Sequence, residues 1–141
     1  MALLNAQIRK DVQSALSDVE QPVVFKIFTQ EIECQYCKET RELVEEVASL
    51  SDRLSVEIYD LVKDEAIAES LGIDKVPAVA VVGRKDYGIR MFGIPSGYEF
   101  GSLIESIKLV SEGESGLSPE TKKQVAKLTK PVRMQVFITP T

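Results

Sequence analysis

Two cysteines separated by two residues, Cys34-Gln35-Tyr36-Cys37, are the side chains in this sequence best suited to covalent chemistry. A thiolate attacks a disulfide sulfur, and a second thiol within reach then displaces the mixed disulfide and releases the product. The chain contains no histidine, which excludes Ser-His-Asp and Cys-His nucleophilic sites and any His-ligated metal. Two cysteines also fall short of the four ligands of a structural zinc site within one chain. Whatever chemistry exists must use other groups, and thiol–disulfide exchange is one the pair could perform. A structural disulfide and a metal site shared between two chains are the alternatives.

The elements flanking the pair bear on that choice. Val23-Val24-Phe25-Lys26-Ile27-Phe28 is a β-branched and aromatic run of the kind buried inside a sheet. Leu43, Val44, Val47 and Leu50 mark an amphipathic helix directly after the cysteines. The motif is therefore expected at a helix N-terminus, where free N–H groups and the helix dipole stabilise a thiolate. Cys34 is the expected nucleophile, and Cys37, one turn on, the resolving thiol. Glu31, Glu33 and Glu39 oppose a thiolate by like charge, partly offset by Lys38 and Arg41. Tyr36 reads as a contact surface for substrate, and Lys26 as a lysine that carries its ammonium out to water.

The rest of the chain alternates in the same way. Leu3, Leu4, Ile8, Val12, Leu16 and Val19 give a helix over about 3–18. A strand is expected over 54–59, and a short helix opened by Asp64-Glu65 and stopped at Gly72. Strands over 76–82 and 89–92 form a hairpin, and Phe100, Leu103, Ile104, Ile107 and Val110 share one face of a further helix. The order α-β-α-β-α-β-β-α predicts an α/β fold, a mixed central sheet with helices on both faces. Beyond a Gly/Ser/Glu linker at 113–118, Ser118 caps a Lys-rich helix running to about Leu128. Lys130-Pro131-Val132-Arg133-Met134-Gln135-Val136-Phe137 then reads as one more strand, preceded by proline like Gln21-Pro22-Val23.

Proline at the head of a central strand is disfavoured because it cannot donate to the ladder, yet Val76-Pro77 stands there. A cis Val76–Pro77 bond resolves the conflict by placing the proline in a turn, whose preceding backbone faces the cysteines and can pair with an extended substrate. Gly93 either admits a substrate backbone or is a bulge glycine, and the first reading is preferred.

Strand, CxxC helix, strand, helix, Val-Pro, hairpin and helix together resemble the thioredoxin fold over about residues 21–111. The extra N-terminal helix, Cys34-Gln35-Tyr36-Cys37, Phe92-Gly93-Ile94-Pro95-Ser96-Gly97-Tyr98-Glu99-Phe100 and the Pro131 segment resemble, more narrowly, the protein disulfide oxidoreductases, or glutaredoxin-like proteins, of thermophiles. Those are tandem proteins of two thioredoxin-fold units. The resemblance implies a unit over 1–112, a linker and helix over 113–129, and at 130–141 the first strand of an incomplete second unit. It also implies catalysis by Cys34 and Cys37, with Val76, Pro77, Tyr36 and Gly93 meeting the substrate. The sequence departs from thioredoxins proper, which have Trp before the first cysteine and Gly-Pro between the two. Glu33 and Gln35-Tyr36 stand here, and the buried acid beneath their active site has no counterpart in Phe25-Lys26-Ile27-Phe28.

The expected function is thus disulfide exchange with protein substrates, without a cofactor, recycled by a thioredoxin-reductase-like partner. One alternative is a glutathione-dependent glutaredoxin or a dimer sharing a cluster. The other is a non-catalytic docking unit with a structural disulfide. Twenty-two acidic against 17 basic residues, with no basic cluster, argue against nucleic acid and anionic membranes as partners. No apolar run suits a signal or a membrane span, so a cytoplasmic location is expected. The strand at 132–138 would expose unpaired backbone, so it should join its own sheet or pair with a second chain in a homodimer.

Overall fold

The computed structural model describes residues 2–139. Its elements, in chain order, are α1 (Ala6–Ala15), β1 (Val23–Thr29), α2 (Cys37–Ala48), β2 (Leu54–Asp60), α3 (Glu65–Ser70), β3 (Ala78–Val82), β4 (Ile89–Phe92), α4 (Tyr98–Glu112) and α5 (Pro119–Val125). The four strands form one mixed sheet in the order β2-β1-β3-β4. β1 runs parallel to β2 and antiparallel to β3, and β3 to β4 is the anticipated hairpin. This is the thioredoxin fold, with helices on both faces of the sheet.

Alternation along β1 separates two cores. Val23, Phe25 and Ile27 point into the larger one with Val79 and Val81, where Leu43, Val44 and Val47 of α2, Leu103, Ile107 and Val110 of α4, and Val12 of α1 cover them. Phe28 points the other way, packing with Ala78, Ala80 and Ala68 of the six-residue α3. Phe25 and Ile27 are fully buried, and each such side chain contributes roughly 1.5–3 kcal/mol relative to exposure. Arg90 secures α3 from β4: its Nε donates to the Leu71 carbonyl at 2.9 Å while its other nitrogens grip the Asp86 carboxylate. That guanidinium, more than any other neighbour, holds the Asp86 carboxyl below the usual range.

The amino-terminal helix is shorter than the periodicity suggests. It starts after Asn5, whose side chain accepts from the Ile8 N–H at 2.9 Å, and its last helical residue is Ala15. Residues 3 and 4 are instead held as an arm by one carboxylate on α2. Glu46 accepts from the Leu3 N–H at 2.7 Å, the Leu4 N–H at 3.2 Å and Arg9 Nη1 at 2.7 Å. Burial of this carboxyl works to raise its pKa, but the two backbone donors and the guanidinium outweigh it and the net effect is a lowered value.

At the other end, α5 is exposed throughout and the Lys122–Glu114 ion pair ties it back to the linker. The strand anticipated at 132–138 belongs to no ladder among the described residues, and residues 140–141 lie outside them. Joining the chain's own sheet is thereby corrected: β4, a four-residue edge, is left without a further partner. Met134, Val136 and Phe137 are each more than four-fifths exposed, while Arg133 turns back toward Gly72 and Asp74. No helix among the described residues is long and apolar enough to cross a membrane.

The Glu46 arrangement predicts a pH-dependent stability. Glu46→Ala should lower unfolding stability at neutral pH by about 2 kcal/mol, the scale of hydrogen bonds to a charged acceptor, with the partly exposed Arg9 adding little. Its folded pKa lies below the ordinary 4.5, so this stabilisation is complete above that value and is lost as pH falls through the folded pKa. Urea titrations of wild type and variant should converge as pH falls below 4.5 and through the folded pKa. A constant gap across that range would count against the assignment.

Candidate active site

The cysteines follow the carboxyl end of the interior strand β1, and α2 begins with the second of them. The two are disulfide-bonded, with Cα atoms 5.6 Å apart. Cys37, not Cys34, is the first helical residue, so the expected placement of Cys34 at the helix start is corrected: Cys34 lies in the preceding loop, three residues ahead. Glu33 accounts for the difference, because its left-handed backbone, φ 57°, turns the chain just before Cys34, a conformation uncommon for a residue with a side chain. Tyr36 occupies the N-cap position without a side-chain acceptor, so the first-turn N–H groups of α2 face the sulfurs' end of the helix uncapped. The burial of the two sulfurs' residues differs. Cys37 is 5% exposed, whereas Cys34 is half-buried.

The Val76–Pro77 peptide bond is cis, as the strand-head proline suggests. β3 consequently starts at Ala78 instead of Val76. The pairing of Phe28 with Ala78 sets the end of β1, and the cysteine loop beyond it, beside this turn. Pro77 is buried and Val76 half-buried. The Gly93 N–H donates to the Pro77 carbonyl at 2.9 Å, so the residue after β4 holds the proline turn in place. Gly93 has φ +88°, and a Cβ there would meet nothing within 4 Å. Backbone conformation is thus what demands glycine, and the space beside it is open.

Exposed apolar side chains occur in the cysteine loop and in the loop ion-paired to it. Ile32 and Tyr36 lie in the cysteine loop, and Val62 follows β2. An ion pair of 3.2 Å between Lys63 and Glu31 brings the last two loops together. On the hairpin side, Lys75 Nζ stands 4.6 Å from the Phe92 ring centroid and also meets Asp74. Sequence reasoning missed Lys63 and Phe92, whose partners lie far along the chain. Lys38 and Arg41, expected to offset the glutamates, instead pair with Glu42 and Glu45 one turn along α2. Lys26 acts on Asp86, across the sheet face. Two cavities of about 570 and 450 Å³ are lined by other residues: one by the Gln21–Ser111 end of the sheet, the other by α1, α2 and the start of α4. Among the described residues no group of three or more acidic or cysteine side chains could hold a metal.

Comparison with known proteins agrees with this fold. A protein disulfide oxidoreductase from Aeropyrum pernix superposes with a TM-score of 0.81 at 27% identity, over 91% of this chain and 56% of that one. The NTD_N/C domain of alkylhydroperoxide reductase AhpF from Enterococcus faecalis gives a TM-score of 0.77 at 22% identity, over 90% of this chain and 62% of that one, a likeness of fold. In sequence, 28% identity over 141 residues links 99% of the chain to a Bacillus subtilis protein named NADH dehydrogenase, of which the chain spans only 25%. A thioredoxin domain model matches residues 23–105, from β1 into α4 and across the whole frame of the cysteine pair. On that match, which takes in more than half its residues, the chain belongs to the thioredoxin domain family.

Proposed function

We propose that the chain is a thiol–disulfide oxidoreductase unit acting on disulfides in polypeptides. The observation that carries this reading is the unequal burial of Cys34 and Cys37 beside the Val76–Pro77 turn. In the reduced form the Cys34 thiolate attacks one sulfur of a substrate disulfide, and the other leaves as a thiolate. The Cys37 thiolate then attacks Cys34 in the mixed disulfide. The second substrate sulfur departs, two electrons have passed to the substrate, and the Cys34–Cys37 disulfide is formed. Burial of Cys37 keeps it from competing for substrate while leaving it one bond from Cys34.

Val76 and Pro77 would align the polypeptide through its backbone, with Tyr36 and the open side of Gly93 as contacts. The apolar rim of Ile32 and Val62 suits an extended chain. Likeness to the Aeropyrum pernix protein supports the activity, and likeness to part of a protein named NADH dehydrogenase supports a nicotinamide-linked reductase as the recycling partner. The exposed apolar residues of 130–139 fit the reading of that segment as the first strand of a second thioredoxin-like unit, paired outside the described residues.

In the reduced protein, iodoacetamide should label Cys34 at least about tenfold faster than Cys37, read by peptide mass spectrometry, as partial exposure favours thiolate reaction; equal rates would remove the asymmetry on which the assignment rests. The reduction potential, from alkylation in glutathione buffers, should fall between roughly −270 and −120 mV, the span of dithiol oxidoreductases, whereas a value below about −300 mV marks a structural disulfide. Cys34→Ser should abolish acceleration of insulin reduction by dithiothreitol, and Cys37→Ser should accumulate a mixed disulfide with the substrate. Full activity in Cys34→Ser would leave the docking reading.

A further inference from the structure

Two buried side-chain polar atoms among the described residues have no hydrogen-bond partner, Glu39 Oε2 and Thr40 Oγ1, and they are neighbours in the turn that follows Cys37. Buried polar atoms are rarely left unpaired, and each exception calls for an explanation, a redox or catalytic role among them. Glu39 borders the groove between α1, α2 and the start of α4. Thr40 is the more confined of the two, at 0% exposure.

A threonine inside a helix ordinarily relieves its hydroxyl by donating to the carbonyl one turn back. Here the Tyr36 carbonyl accepts the Thr40 backbone N–H at 3.0 Å, and the hydroxyl stays unpaired. Cys37 and Thr40 are three apart on α2, both buried on the side that faces the sheet. Helical side chains lean toward the N-terminus, so Thr40 covers the turn to which Cys37 belongs. The disulfide commits the Cys37 sulfur to Cys34, and a disulfide sulfur is a poor acceptor. Reduction frees that sulfur as a buried thiol or thiolate with lone pairs to satisfy, within one helical turn of a donor with nothing to bond.

We propose that Thr40 is a positioning residue for the redox pair, its hydroxyl donating a hydrogen bond to the Cys37 sulfur in the reduced protein and so stabilising the dithiol over the disulfide. The inference rests on the exchange reading above, but its thermodynamics do not require turnover. In the equilibrium that converts the disulfide and two glutathione molecules to the dithiol and one glutathione disulfide, the two sulfurs of the pair gain two electrons and two protons. A bond made only on the dithiol side draws the equilibrium that way. The same bond holds the Cys37 thiolate ready during the mixed-disulfide stage, so it assists resolution as well.

The experiment compares wild type with Thr40→Val, which keeps the shape and removes the hydroxyl, and Thr40→Ser, which keeps the hydroxyl. In buffers of reduced and oxidised glutathione, Thr40→Val should shift the equilibrium constant about tenfold toward the disulfide, a potential about 30 mV more negative, and Thr40→Ser should stay within about twofold of wild type. Melting closes the cycle. Thr40→Val should leave the oxidised form as stable as wild type or more so, because an unpaired hydroxyl has been removed, and should destabilise only the reduced form. Thr40→Ala serves the same comparison if Thr40→Val does not fold, and it must move the potential in the same direction. An unchanged potential, or equal destabilisation of both forms, overturns the inference. A shifted potential in a protein that fails to accelerate insulin reduction would instead overturn the exchange reading and leave the Thr40 bond standing.

Discussion

The antiparallel pairing of β1 with β3 is the constraint on which the site depends. Its register, Val24 with Val82 through Phe28 with Ala78, fixes which end of β1 lies beside the proline turn, and therefore that the cysteine loop faces Val76 and Pro77. The same register assigns Phe25 and Ile27 to the larger core and Phe28 to the smaller. A slip by one residue would exchange those faces, send Lys26 into the interior and separate the loop from the turn. Function and packing are in this way specified by a single ladder, the middle one of the sheet.

Around that ladder, the charged side chains join elements distant in sequence more than they shape the sulfurs' surroundings. Arg90 fastens α3 to β4, Glu46 fastens the amino-terminal arm to α2, and Lys63 joins the β2–α3 loop to the cysteine loop. The first two are well shielded and hold their geometry through hydrogen bonds to backbone groups or a forked carboxylate contact. The Lys63–Glu31 pair is exposed on both sides and is correspondingly weak and sensitive to salt. The loop bearing Cys34 is thus firmly seated at its two ends and lightly tethered between them.

Much of this was legible in the sequence because its signals are local. Period-two and period-three-to-four patterns placed the strands and helices of residues 21–111, and the conflict between proline and a central strand pointed to the cis turn. What was not legible depends on geometry that pattern does not carry. Cys34 is expected at the N-terminus of a helix, but the spacing of Leu43, Val44 and Val47 does not mark where the first turn begins, and the helix starts only at Cys37. Residues 132–138 have a strand's composition, yet a strand exists only with a partner, which no local pattern names. Glu46 carries no signal in the sequence, because its donors lie more than 35 residues away. Thr40 carries none either, because a hydroxyl that lacks a bond is an attribute of the packed state alone.

The Glu46 anchorage also has a dynamic side. Glu46 lies close to the last turn of α2 while Cys37 opens its first, so the helix that presents the resolving sulfur is clamped at its far end to residues 3, 4 and 9. Opening α2 from that end must break the backbone bonds of the arm to Glu46 and the Arg9 contact from α1 together. The three pieces are thus coupled through one carboxylate, and opening the last turn of α2 costs those bonds in addition to its own. An appendage at the beginning of the chain in this way slows the fraying of a helix whose opposite end faces the chemistry.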